Sequence, residues 1–205
     1  MKSQAIPYNL QGKSPISIIK KITTDSFLTA MEILQIVDVL ERLNLVPIVE
    51  NLDRSGAARA AIVVRNSLIA RLVTIASGVF SPVREGDRHL KLAVKLLGDV
   101  ETRRAIEHVG SSAGLDLALH KWEALEADPR LLILKHFRNK FTAHTAVPIA
   151  DIPLPQYDEM FAFSREVAAL MESFADATGV LPETLSATEP LRIQSARIFW
   201  RPWEF

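Results

Sequence analysis

The chain has 205 residues, 24 Lys+Arg against 24 Asp+Glu, no cysteine and 48% hydrophobic residues. That length supports one full core, and that apolar share excludes a chain disordered throughout. Balanced charge excludes a protein that coats nucleic acid through its overall field, so any such contact must come from a local patch; the missing cysteines exclude disulfides, thiolate nucleophiles and Cys-ligated zinc.

Residues 1–24 read as an irregular lead-in. Pro7, Gly12 and Pro15 interrupt it and it has no secretory design, so a cytoplasmic location is expected. Thr24, Asp25 or Ser26 is expected to cap a first long helix carrying Phe27, Met31, Leu34, Val37, Val39 and Leu40 at helical spacings. Pro47 is expected to end or kink it near Leu45. A second helix, from Asp53 or Ser55 to about Gly78, is apolar on most faces, as a central bundle helix would be. Its Arg59, Arg65 and Arg71 make a membrane span expensive, and because they do not share a face they predict separate salt bridges.

Ser81-Pro82 marks a break, and Asp87 is placed to cap a third helix with Leu90, Ala93, Val94 and Leu97 on one face. Gly98-Asp99 punctuates it, and a short helix to about Val109 and a Gly110-Ser111-Ser112 turn follow. The next helix spans Leu115 to Glu126. Asp128-Pro129 then reads as an N-cap with proline at the first helical position, opening a helix from Leu131 to His144. Pro148, Pro153 and Pro155 make a loop before a last bundle helix from Tyr157 to about Ala177, with Phe161, Val167, Leu170, Met171 and Phe174 inward and Gly179 as its stop. The expected fold is an all-α, up-and-down helical bundle over residues 25–180. Residues 181–205 form an extended arm in this reading, with Ile193, Ile198, Phe199, Trp200, Trp203 and Phe205 strapped over the core or over a dimer mate.

Chemistry concentrates between Pro129 and Ala150. That stretch holds no Asp or Glu but carries Arg130, Lys135, His136, Arg138, Lys140 and His144, a basic island in a neutral chain. On a regular helix Arg138 and His144 sit roughly 120° apart, so they converge on one groove only if the helix ends or bends near Ala143, or across a symmetric dimer. A histidine moves protons near neutral pH and an arginine grips a phosphate with parallel hydrogen bonds, which together suit cleavage of RNA by its own 2′-hydroxyl. Asn139 is placed to orient either partner. Lys135, Lys140, His136 and Arg130 are the candidate RNA-binding residues. The five histidines have no metal-ligand spacing, no metal or cofactor is expected, and no Gly-rich phosphate loop or Gly-x-Ser-x-Gly occurs.

The string Leu134-Lys135-His136-Phe137-Arg138-Asn139-Lys140-Phe141-Thr142-Ala143-His144 resembles the Arg-x4–6-His motif of the HEPN superfamily, and looks most like its abortive-infection (AbiU-like) branch. The looser likeness of the bundle covers roughly residues 25–178. The resemblance implies a homodimer with two Arg–His pairs facing one cleft, and a metal-independent endoribonuclease of the phage-defence or toxin–antitoxin kind, possible partners being RNA and an antitoxin or regulatory protein. It makes Arg138 the phosphate-polarising group, His144 the general acid/base and Asn139 the supporting polar group. Some toxin members carry a tyrosine two residues after the histidine, where this chain has Ala146, so the resemblance does not carry control by modification at that position over to this chain.

Other readings stand beside this one. Non-catalytic relatives only bind RNA, a nucleotide or a protein, and fold does not fix function. His144 can serve as a cation at a helix C-terminus, Arg138 can pair with Asp158 or Glu159, and Lys135 and Lys140 can simply be solvated.

Overall fold

A computed structural model of the chain describes residues 14–84, 89–142 and 152–204. Nine α-helices and no strands occur among them, the all-α bundle that the periodicity predicts. The helices are α1 (Pro15–Leu43), α2 (Val46–Ser55), α3 (Ala58–Gly78), α4 (Leu90–Leu96), α5 (Val100–Val109), α6 (Ser112–Glu126), α7 (Pro129–Phe137), α8 (Tyr157–Ala177) and α9 (Leu185–Trp200). A π-turn (Arg138–Thr142) continues α7, and a 3-10 turn (Arg201–Trp203) continues α9.

The spine is α1. Ser14 caps it by accepting a hydrogen bond from the Ser17 amide, and Pro15 occupies the first turn, where its missing N–H costs nothing. The helix therefore starts about ten residues before the expected Thr24–Ser26 cap, and residues 15–24 are not lead-in. Ile19 and Ile22 are as buried as Phe27, Ala30, Ile33, Val37 and Leu40, so one apolar stripe runs the whole length. α8 lies along this stripe and offers Phe161, Phe163, Val167, Leu170, Met171 and Phe174 to it. Each such side chain contributes roughly 1.5–3 kcal/mol on burial. A hydrogen bond between the buried Thr23 and Thr178 hydroxyls, 2.9 Å, ties α1 to the end of α8.

Side-chain caps open the middle helices, at Asp128 as expected, whereas α6 begins at Ser112, three residues before the expected Leu115. Asp99 accepts from the Thr102 amide at α5, Ser111 from the Gly114 amide at α6, and Asp128 from the Arg130 amide at α7. Gly110 is required by contact: a Cβ there would lie 2.0 Å from the Ala177 carbonyl oxygen, because the α5–α6 turn crosses the end of α8 backbone to backbone.

Two expectations are corrected. Residues 46–55 form the separate helix α2, with Pro47 in its first turn and Gly56 at φ +73° closing it, so the second long helix begins at Ala58. The aromatic tail is not an extended arm but the helix α9 and its 3-10 turn. It lies on α1, where the Trp200 indole N–H donates to the Val39 carbonyl oxygen at 2.9 Å and the Arg192 guanidinium holds Asp38 at 3.1 Å. Trp200 joins Leu43, Ile48, Leu52 and Ala61 in a second small core beside the main one. Phe205 and the expected Asp87 cap lie outside the described residues.

α3 is less buried than a central helix should be. An 18-residue stretch of it has mean hydropathy 1.5, long and apolar enough by composition to cross a membrane, yet only 28% of that stretch is covered.

Candidate anion-binding site at the Arg138 turn

α7 runs from its Asp128 cap to Phe137, and the backbone then widens into the π-turn. The expected regular helix to His144 therefore ends at Phe137. Such i→i+5 turns inside helices recur at functional sites because they re-aim side chains. His144 itself lies outside the described residues, as does Ala146.

Arg138 is half-buried at the start of this turn. Its Nη1 donates to Ser81 Oγ at 3.1 Å and its Nε to the Asn139 side-chain oxygen at 3.2 Å. Ser81 stands just beyond the C-terminal end of α3, so that end and the π-turn hold the guanidinium between them. One helical turn earlier, Lys135 Nζ reaches the Phe80 carbonyl oxygen at 3.4 Å. Burial pushes the Lys135 ammonium below its ordinary pKa, and the neighbouring charges of Lys91 and Arg138 push the same way against Glu126. Three cations thus gather at the end of α3. Glu126 pairs with Lys91 at 2.5 Å and also accepts from the Trp122 indole at 3.1 Å. The α3 C-terminus, with its partial negative charge, accounts for part of this gathering. A local concentration of cations of this kind attracts an anion.

Two of the sequence-predicted RNA contacts are not at such a surface. Arg130 is held by Asp128 and by both oxygens of Glu166, at 3.0 and 2.8 Å, and lies over the Phe163 ring at 5.3 Å. Its pKa is raised, first by the Asp128 hydrogen bonds and then by those to Glu166. A hollow beside it, lined by Ile133, Leu134, Pro155, Glu159 and Met160 among others, measures about 10 Å³, room for one water at most. Arg130 therefore ties α7 to α8, its guanidinium taken up by Asp128 and Glu166. His136 is 8% exposed, with no hydrogen-bond partner for its Nε2 among the described residues, and so lies in the core rather than on the surface. Lys140 is half-buried and Asn139 exposed, beside Arg138.

Sequence reasoning missed Ser81, the Phe80 carbonyl and Lys91. Ser81-Pro82 carried a signal, but only that of a break. Among the described residues no three metal-ligating side chains come together. No known protein family, curated protein or solved structure matches this chain.

Proposed function

We propose that the chain is a metal-independent endoribonuclease of HEPN type that cleaves single-stranded RNA, with Arg138 as the phosphate-binding residue and His144 as the acid/base. The observation that supports it is the gathering of Arg138, Lys135 and Lys91 at one turn, with Asn139 bonded to the Arg138 guanidinium. In the reaction the RNA 2′-oxygen forms a bond to phosphorus and the bond to the 5′-oxygen breaks. The 2′-hydroxyl proton passes to His144, and the leaving oxygen gains a proton. The products are a cyclic phosphate and a 5′-hydroxyl. Arg138 stabilises the extra charge on the phosphoryl oxygens as the bond forms. The side-chain oxygen of Asn139 and the Ser81 hydroxyl orient its fork, and Lys135 strengthens the local field. As in the resemblance, the enzyme acts as a homodimer under the control of a regulatory protein.

The test is cleavage of total RNA by the purified protein in EDTA. Discrete cutting is expected from the wild type, none from His144→Ala and strongly reduced cutting from Arg138→Ala. If both variants cut as well as the wild type, the proposal fails. The cation cluster alone also supports a second reading, an RNA-binding module without catalysis. That reading predicts binding that weakens in Arg138→Ala, is unchanged in His144→Ala, and is never followed by cleavage.

A further inference from the structure

α9 lies on α1 with Leu185, Thr188, Ala196 and Trp200 turned inward. Its opposite side carries Ala187, Leu191, Gln194 and Ile198, and Arg201 follows at the start of the 3-10 turn. Leu191 is 70% exposed and Ile198 59%. These positions step by four, three, four and three residues, which keeps them on one line along a helix. The line runs roughly 21 Å at 1.5 Å per residue. Ile193 and Phe199 are exposed too, but they stand about a third of a turn away on either flank and do not widen it. The line is therefore narrower than the broad apolar face by which a helix lies in a membrane. A narrow line of this spacing is the seam that a second helix packs against.

The charges along the seam say what that second helix carries. From Pro190 to Pro202 the chain has three arginines and no Asp or Glu. Arg192 is turned in to Asp38, but Arg197 and Arg201 are exposed. Arg201 makes no ion pair among the described residues. Arg197 reaches Glu204 only at 3.7 Å with 65% of its side chain exposed, and Glu204 is already held by Arg42. Gln194, Arg197, Ile198, Arg201 and Glu204 line a hollow of about 340 Å³ at this end of the seam. We propose that the seam receives an acidic, amphipathic helix of a partner protein. The apolar side chains of that helix cover Leu191 and Ile198, one of them entering the hollow, and its carboxylates meet Arg197 and Arg201. A second copy of this seam supplies arginines and no carboxylate, so it is not the matching surface.

The seam is separate from the Arg138 turn. α9 packs on α1, whereas the Arg138 turn packs on α7 and α3. The partner's helix can therefore dock whether or not the chain cuts RNA.

Fluorescence anisotropy tests it, with the full chain and a labelled helical peptide of about three heptads that carries Leu at its core positions and Glu beside them. The wild type is expected to bind this peptide about tenfold more tightly than a scrambled peptide of the same composition. Leu191→Asp and Arg201→Glu replace exposed side chains and should leave the circular dichroism spectrum unchanged. Each is expected to weaken binding about tenfold. Arg201→Glu is expected to prefer a peptide with Lys in place of Glu. No binding at the highest soluble peptide concentration overturns the proposal, and so does equal binding of the scrambled peptide or wild-type affinity in either variant. An Arg201→Glu chain that still prefers the Glu peptide overturns it too. Three other results would give the seam to a different occupant and overturn it as well. These are a dimer in sedimentation that Leu191→Asp separates, flotation with anionic vesicles that Leu191→Asp abolishes, and binding of an oligoribonucleotide that Arg201→Glu abolishes.

Discussion

Arg138 is held from two sides, and that arrangement makes its role separable from its charge. Arg138→Ala is expected to lower single-turnover RNA cleavage by about 10²–10³-fold, the scale of losing one transition-state donor. Arg138→Lys keeps the charge but loses the planar fork that Ser81 and Asn139 orient, so it should recover ground-state RNA binding and little of the cleavage rate. Ser81→Ala removes one positioning hydrogen bond and should cost about fivefold in the cleavage step, with binding intact. A Ser81→Ala rate equal to wild type would show that the bond does not position the guanidinium. His136 gives the opposite expectation. A buried imidazole nitrogen without a partner is a liability, so His136→Leu is expected to leave RNA binding unchanged and to stabilise the fold by about 1 kcal/mol in urea titration. A fall in RNA affinity with the fold intact would return His136 to the binding surface. The motif made Arg138 and Asn139 legible because both lie within it. Ser81, 57 residues away, was legible only as a break, because which loop meets the turn is decided by how α3 packs against α7. The contacts of Arg130 and the burial of His136 were illegible for a similar reason. A run of basic residues shows charge but not facing, and α7 turns these two toward α8 and the core.

Elements with one clean apolar face were readable, though the start of α1 was missed, and those with divided faces were not. α8 has a proline loop before it, Gly179 after it and a single inward stripe, so it was placed from pattern alone. α9 was not, because Pro190 reads as a breaker and its apolar residues point both ways: Trp200 is buried, whereas Leu191, Ile198 and Phe199 are exposed. α2 is a ten-residue helix that buries only Ile48 and Leu52, too little pattern to separate from its neighbours. The attachments of α7 and α9 should respond to pH in opposite senses. Asp128, hydrogen-bonded by Arg130 and by the backbone at the start of α7, has its pKa lowered below the ordinary 3.8. Its contribution, about 1 kcal/mol for a capping carboxylate partly open to solvent, is present above that ordinary value and is lost as pH falls through the lower folded one. Asp38, under α9, is raised, chiefly by burial and in spite of Arg192. A carboxyl raised on folding costs stability above its folded pKa, and that cost disappears as pH falls toward 3.8. Unfolding by urea from pH 7 to pH 3 should therefore show the advantage of wild type over Asp128→Asn shrinking in the acid limb. The wild type should gain on Asp38→Asn over the range just above it. Parallel curves for the two comparisons would contradict the assignment of opposite shifts.

For the molecule as a whole, the decisive feature is a net charge of zero with its useful positive charge at one turn. A protein that held RNA by its general field would neutralise many phosphates and lose affinity steeply with salt. Here Lys91, Lys135 and Arg138 are the cations gathered at the site, and Lys91 is partly offset by Glu126. Each phosphate contact on a single strand contributes about 0.7 to the slope of log affinity against log salt, so a footprint of two or three contacts predicts a slope near −2. Lys135→Met should make that slope shallower by about 0.7 while leaving the preference among RNA sequences unchanged, since a phosphate contact carries no base information. Arg130→Met should leave the slope alone and instead lower stability, because it severs the link from α7 to Glu166 on α8. Binding of a fluorescent oligoribonucleotide across a series of salt concentrations measures both variants in one experiment. A slope much steeper than −2 would mean that RNA engages more of the surface than the Arg138 turn. A slope changed by Arg130→Met but not by Lys135→Met would move the binding site to the other side of α7.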